Sequence, residues 1–79
     1  SNKAERIRRR EVKRAMTKLP NINESEYRAI RHMSQMIVRK LLREPMTILN
    51  KSAGTADEKY YIDAITKLFK LEVLKESDN

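Results

Sequence analysis

Hydrophobic residues recur along most of this chain at the three- and four-residue spacing of amphipathic α-helices. The pattern predicts three main helices, at about residues 3–19, 24–43 and 56–71. The first should end before Pro20, because proline disfavours helical geometry in the residue that precedes it. Pro45 should end the second helix and then open a short helical turn, since proline is well tolerated at a first helical position. The expected fold class is all-α, a helical bundle.

Two capping boxes predict where the second and third helices begin. Asn23 can accept a hydrogen bond from the first turn of its helix, and Glu26 stands three residues later, where it can reach back to the cap. Thr55 and Glu58 have the same spacing ahead of the third helix.

The helical pattern fades at the C-terminal end of the sequence. Residues 72–79 are therefore expected to form a flexible tail. Residues 1–79 are expected to form a single domain that includes this tail, because 79 residues give room for no more than one small core.

The apolar faces of the second and third helices are wider than one neighbouring helix covers. They span roughly 240° and 200° of a helical wheel, against about 100° for a helix with a single neighbour. A second copy of the chain would cover the surplus by presenting the same patch from each subunit, so we expect a homodimer completed through these helices. The candidate interface residues are Tyr27, Ile30, Met33, Met36, Ile37, Leu41, Tyr61, Ile65, Leu68 and Phe69.

Composition argues against catalysis by this chain. It has no cysteine and one histidine, which removes disulfides, cysteine-rich metal sites and a thiol nucleophile. We therefore predict no catalytic, cofactor-binding or metal-binding residues. No apolar run exceeds three residues, so no transmembrane helix and no membrane partner are expected, and the expected setting is cytoplasmic.

Most of the excess positive charge lies at the N-terminal end. The net charge is +7, and residues 1–18 hold eight Lys or Arg against two Glu. A solvated helix face is the favoured interpretation, and contact with the phosphates of a nucleic acid is the alternative. The residues that would make such contacts lie opposite the apolar side of the first helix: Arg6, Arg9, Arg10, Lys13 and Arg14.

Three segments resemble the C-terminal dimerisation domain of glutamyl-tRNA reductase. They are Lys18-Leu19-Pro20-Asn21-Ile22, leading into an acidic helix start, Val38-Arg39-Lys40-Leu41-Leu42-Arg43-Glu44-Pro45, and the closing Lys67-Leu68-Phe69-Lys70-Leu71-Glu72. The resemblance covers about residues 5–72. It implies a role in joining subunits, with residues 1–19 as the distal end of a long connecting helix.

The same resemblance implies what a parent enzyme would do. Glutamyl-tRNA reductase uses NADPH to reduce glutamyl-tRNA to glutamate-1-semialdehyde, the opening step of tetrapyrrole (porphyrin) biosynthesis. The family's nucleophilic cysteine and Gly-rich nucleotide loop lie outside the dimerisation domain. Two other functions remain open from the residues alone: a small basic helical nucleic-acid-binding protein, and an adaptor bundle with a different protein partner.

Overall fold

Three α-helices make up the fold in a computed structural model that describes residues 2–70. They are α1 (Asn2–Thr17), α2 (Glu24–Ser52) and α3 (Glu58–Phe69). The predicted all-α class is confirmed. The predicted tail at 72–79, and the last residue expected in the third helix, lie outside the described residues.

Helix α1 ends at Thr17, two residues before the predicted end at Leu19. The chain tightens there, because the amide of Lys18 donates to the carbonyl of Ala15 at 3.0 Å, three residues back instead of four. Such tight bonds are common in the last turn of a helix. The connection to α2 then begins just before Pro20.

The predicted capping box at the start of α2 is confirmed. The side-chain oxygen of Asn23 accepts from the amide of Glu26 at 2.7 Å, and a Glu26 carboxylate oxygen accepts from the amide of Asn23 at 3.0 Å. Two amides that the helix itself leaves without partners are thereby satisfied.

Helix α2 continues through Pro45 to Ser52, so the prediction that it ends near Arg43 was wrong. The residues expected to form a separate turn are the last part of this helix. Proline has no amide hydrogen, so the carbonyl of Leu41 lacks its usual partner four residues on, at a cost of about 3 kcal/mol. The segment beyond the proline buries Leu49 against α3, which offsets that cost.

Helix α3 begins at Glu58, and the capping box predicted for it does not form. Asp57 is the N-cap, and its side chain makes no capping hydrogen bond. The hydroxyl of Thr55 instead donates to the carbonyl of Ser52 at 2.6 Å, and a Glu58 carboxylate oxygen accepts from the amide of Gly54 at 3.3 Å. Gly54 has φ +79°, a conformation that favours glycine, and it allows this tight turn.

The helices form two hairpins that share α2. Helix α1 packs on the N-terminal half of α2 and α3 packs on the C-terminal half, and within residues 2–70 α1 and α3 make no contact with each other. The molecule is elongated, 53 × 22 × 19 Å. The buried apolar side chains of the described range are Val12 in the first hairpin and Leu49 and Ile65 in the second. Each hairpin therefore has a very small core.

Candidate functional surfaces

An apolar stripe runs along the exposed side of α2. Met33, Ile37 and Leu41 follow one another at four-residue intervals, which places them on one side of the helix. They are 56%, 51% and 70% exposed. We call these three residues the α2 stripe. Exposed apolar surface that is contiguous along a helix is typical of an interaction site.

The apolar surface extends beyond the α2 stripe on both sides. A groove of about 290 Å³ separates α1 from α2, and its walls include Ile7, Ile30, Met33 and Ile37. A second hollow, of about 580 Å³, adjoins it at the α1–α2 connection and also contains Ile30. The stripe and the two hollows thus form one apolar face on the first hairpin.

Helix α3 exposes apolar side chains at its C-terminal end. Leu68 is 79% exposed and Phe69 is 41% exposed. Because α3 runs back along α2, this end of α3 lies toward the middle of the long helix. Leu41, the most exposed member of the α2 stripe, lies on that same central part of α2.

The structure distributes the predicted interface residues among three environments. The exposed ones are Met33, Ile37, Leu41, Leu68 and Phe69, and the half-buried ones are Tyr27, Ile30, Met36 and Tyr61. Ile65 differs, because it is buried against Leu49 in the chain's own core, with Tyr61 packed on the pair. The exposed five therefore offer the surface that a second copy could cover.

Arg8 is a buried cation that the sequence analysis did not single out. Its side chain is 7% exposed, its Nε donates to a Glu5 carboxylate oxygen at 2.7 Å, and its Nη1 donates to Ser34 Oγ at 3.0 Å. Ser34 Oγ in turn donates to the carbonyl of Arg31 at 2.7 Å. This network ties α1 to α2 at one register.

The Glu5–Arg8 ion pair shifts the pKa of each partner in the direction that favours its charged form. The hydrogen bond from Arg8, opposed by partial burial and supported by the nearby positive charges, lowers the pKa of the Glu5 carboxyl below its ordinary value of 4.5. The same hydrogen bond raises the pKa of Arg8. Both groups are therefore charged at neutral pH, as a buried arginine requires.

A signal for Arg8 was present in the sequence. At about 100° per residue, position 8 falls between Ala4 and Val12, inside the apolar arc of α1 and away from the other arginines. A cation at such a position must find a partner. Glu5, three residues earlier on the same helix, is that partner.

A basic groove of about 490 Å³ lies on the other side of α1. Its lining includes Arg8, Arg9 and Lys13 from α1 and Tyr27 and Arg31 from α2, and none of the lining residues within 2–70 is acidic. The Arg31 guanidinium lies over the Tyr27 ring, 5.9 Å from its centroid. Cations from two helices therefore face one concave surface.

Only part of the predicted phosphate-contact set lies at this groove. Arg9 and Lys13 line it. Arg14 is exposed and pairs with Glu11 at 3.3 Å. Arg6 and Arg10 are exposed on α1 and are not among the groove residues. Arg31 was not among the predicted contact residues, because it lies on the second helix and not in the basic run, the eight Lys and Arg of residues 1–18.

Two kinds of site were not found in the described part of the chain. No group of three His, Cys, Asp or Glu side chains within residues 2–70 is arranged to hold a metal ion. None of the described helices combines the length and apolar composition needed to cross a membrane.

Comparison with known proteins gives this architecture a family. The family model for the dimerisation domain of glutamyl-tRNA(Glu) reductase matches residues 1–71. The chain belongs to that family. The predicted resemblance is confirmed.

Glutamyl-tRNA reductases also match the chain directly. It is 42% identical over 71 residues to the enzyme of Desulforudis audaxviator, 38% over 69 residues to that of Syntrophobacter fumaroxidans, and 35% over 75 residues to that of Brevibacillus brevis. These matches cover 87–95% of the chain but only 15–16% of each relative. No solved structure gives a significant match.

Proposed function

We propose that this chain joins two subunits of a glutamyl-tRNA reductase by pairing its apolar face with that of a second copy. The observation that carries the proposal is the exposure of Met33, Ile37 and Leu41 on the shared helix. Membership of the dimerisation-domain family supports it independently.

The described residues, 2–70, leave much of their own apolar surface exposed. Few side chains are buried in each hairpin, while all three residues of the α2 stripe are more than half exposed. Covering a Leu, Ile or Met side chain stabilises a complex by about 1.5–3 kcal/mol when the whole side chain leaves water. An isologous interface gains this twice for each position, because both subunits present the same residues.

The interface of this proposal is centred on the predicted residues that the fold leaves exposed. The α2 stripe supplies its centre, and Leu68 and Phe69 extend it toward α3. The half-buried Ile30 and Met36 would lie at its edges. Tyr27, Tyr61 and Ile65 would support it from within each chain.

The parent protein would carry the chemistry. Its expected activity is the NADPH-dependent reduction of glutamyl-tRNA to glutamate-1-semialdehyde in tetrapyrrole biosynthesis, in the cytoplasm. Helix α1 would be the distal end of a longer helix that connects this domain to the catalytic and nucleotide-binding domains. The chain itself would contribute no catalytic group and no cofactor ligand.

The mass of the chain in solution tests the proposal. Light scattering over a wide range of concentrations should give twice the 9.4 kDa mass of the single chain, with helical circular dichroism. A well-folded species that stays at the single-chain mass at the highest concentrations would overturn the proposal.

A further inference from the structure

Helix α1 separates two surfaces of opposite character. Arg8 and Val12 line both the apolar groove and the basic groove, so they form the wall between them. On α2, the apolar groove is bounded by residues such as Met33 and Ile37, and the basic groove by Tyr27 and Arg31. Covering the apolar face with a second subunit would therefore leave the basic groove open.

The cations of the basic groove differ in exposure and in the hydrogen bonds that they already make within the chain. Arg8 is fully engaged with Glu5 and Ser34 and is buried, so it contributes charge but not contacts. Arg9 is 75% exposed, and its Nε lies 3.7 Å from the same Glu5 oxygen, too far for a strong hydrogen bond. Lys13 and Arg31 are exposed. Three of the four cations can therefore meet a ligand.

We infer that this groove binds the phosphates of an RNA strand, with Arg9, Lys13 and Arg31 as the contacting residues. Arg9 and Lys13 lie one helical turn apart on α1, and Arg31 faces them from α2, so the cations lie on both walls of the groove. Guanidinium groups match phosphate geometry through paired donors. A positive groove with an aromatic side chain in its wall is the usual arrangement for holding a nucleic-acid backbone without sequence preference.

An anionic membrane is the less suitable partner for this groove. Peripheral membrane binding needs large apolar side chains beside the cations to enter the acyl boundary. Here the exposed apolar side chains lie on the other side of α1, at Ile7, Met33 and Ile37. A concave groove also suits a strand better than a broad lipid surface.

The inference differs from the sequence prediction in its geometry. The basic run suggested a stripe along α1 alone, whereas the groove uses two residues of that run and adds Arg31 from α2. It rests on the proposed function only for the choice of tRNA as the RNA.

The test compares two variants of equal charge in the whole chain. The groove variant is Arg9→Gln, Lys13→Gln and Arg31→Gln. The control variant is Arg39→Gln, Arg43→Gln and Lys67→Gln, at exposed positions outside the groove. Each variant also contains two Arg and one Lys replacements, so both lower the net charge of +7 by three.

Binding of a tRNA transcript is then measured as a function of salt concentration. Each lost phosphate contact should reduce the slope of log K against log salt by about 0.7, the value for a single strand, so the groove variant should lose about 2.1 from that slope. Between 50 and 200 mM salt the wild-type affinity should fall about 18-fold more than that of the groove variant. The slope of the control variant should differ from the wild-type slope by no more than one lost contact would cause, about 0.7.

Each other outcome overturns the inference. Equal losses in the two variants would show that net charge alone attracts RNA, and undetectable binding by the wild type would show no site. Binding to phosphatidylglycerol vesicles that the groove variant alone loses, without a matching effect on tRNA, would assign the groove to lipid.

Light scattering on the same samples keeps this inference separate from the proposed function. A monomeric wild type that still shows the groove-specific slope would refute subunit joining and leave the RNA groove standing. A dimeric wild type whose salt dependence the groove variant leaves unchanged would support subunit joining and refute the RNA groove.

Discussion

Placing a charge in the α2 stripe should break the proposed dimer with little change to the single chain. Ile37 is the middle residue of the stripe and is 51% exposed in the single chain. The substitution Ile37→Glu keeps a good helix former at that position, so α2 should persist. In the single chain the new carboxylate can remain in water, whereas in the dimer it would be covered by the partner.

The expected loss of affinity follows from the exposed half of Ile37. Covering that half is worth about 1 kcal/mol in each subunit, or about 2 kcal/mol for the dimer. Desolvating a carboxylate at the interface adds a penalty of several kcal/mol per ion, because Arg8, the cation that lines the groove with Ile37, is already bonded to Glu5 and Ser34. A total loss of at least about 4 kcal/mol corresponds to a dissociation constant raised about 1,000-fold or more.

The measurement is sedimentation equilibrium of wild type and variant, with circular dichroism to confirm helix content. Gln35→Glu is the matched control, because it adds the same charge two residues away on the far side of α2, at the basic groove. It should leave the dissociation constant within about threefold of wild type, since position 35 lies outside the proposed interface. Should Ile37→Glu unfold, Ile37→Ala gives the same comparison without a charge. A folded Ile37→Glu chain that dimerises as tightly as wild type would refute the interface.

Three further predictions concern stability at a fixed protein concentration. Leu49→Ala should lower the free energy of unfolding by about 2–5 kcal/mol in urea, because it empties the buried centre of the second hairpin, and a loss below about 1 kcal/mol would contradict that core. Pro45→Ala should raise it by about 1–2 kcal/mol, since the regained helical hydrogen bond outweighs the looser unfolded chain, whereas destabilisation would show that the proline ring itself packs. Glu5→Gln should destabilise the chain near neutral pH, but this difference should shrink as pH falls below about 4.5, because a carboxyl whose folded pKa is lowered loses its contribution as it protonates. A difference that stays constant from pH 7 to 3 would show that Glu5 acts through packing and not through its ion pair with Arg8.

Local signals in the sequence were sufficient where the competing conformations were few. The Asn23–Glu26 capping box was predicted correctly, because both partners lie within one turn and need nothing from the rest of the chain. The same four-residue logic failed at Thr55 and Glu58. There Gly54 permits a turn in which both side chains bond back to the preceding residues, and a spacing rule alone cannot weigh that alternative.

The error at Pro45 has a tertiary cause. The sequence prediction ended the second helix at this proline, which removes one helical hydrogen bond and disfavours helix in the residue before it. It did not count the burial of Leu49 against Ile65, which exists only when α3 folds back on the continued helix. A long-range contact of this kind is absent from any local pattern.

Arg8 shows the opposite limitation. Its position on the helical wheel indicated a buried side chain, whereas its positive charge favoured an exposed one. Grouped by composition, it belongs with the basic run. Grouped by direction, it belongs with Ala4 and Val12 on the buried side of α1. Arg8 is buried, as its direction on the helical wheel indicates, because Glu5 and Ser34 supply the hydrogen bonds that make burial of the guanidinium possible.

The continuation of α2 through Pro45 is also what makes the apolar face continuous. Ile48 is 40% exposed, and it lies seven residues after Leu41, or two turns along the same side of the helix. A helix that ended at the proline would have turned Ile48 away from the α2 stripe. Because α1 and α3 do not meet, the middle of this face is sheltered by neither hairpin, and Leu41 there is 70% exposed. The long helix therefore stabilises each hairpin while keeping one apolar side that the rest of the described chain, residues 2–70, leaves exposed.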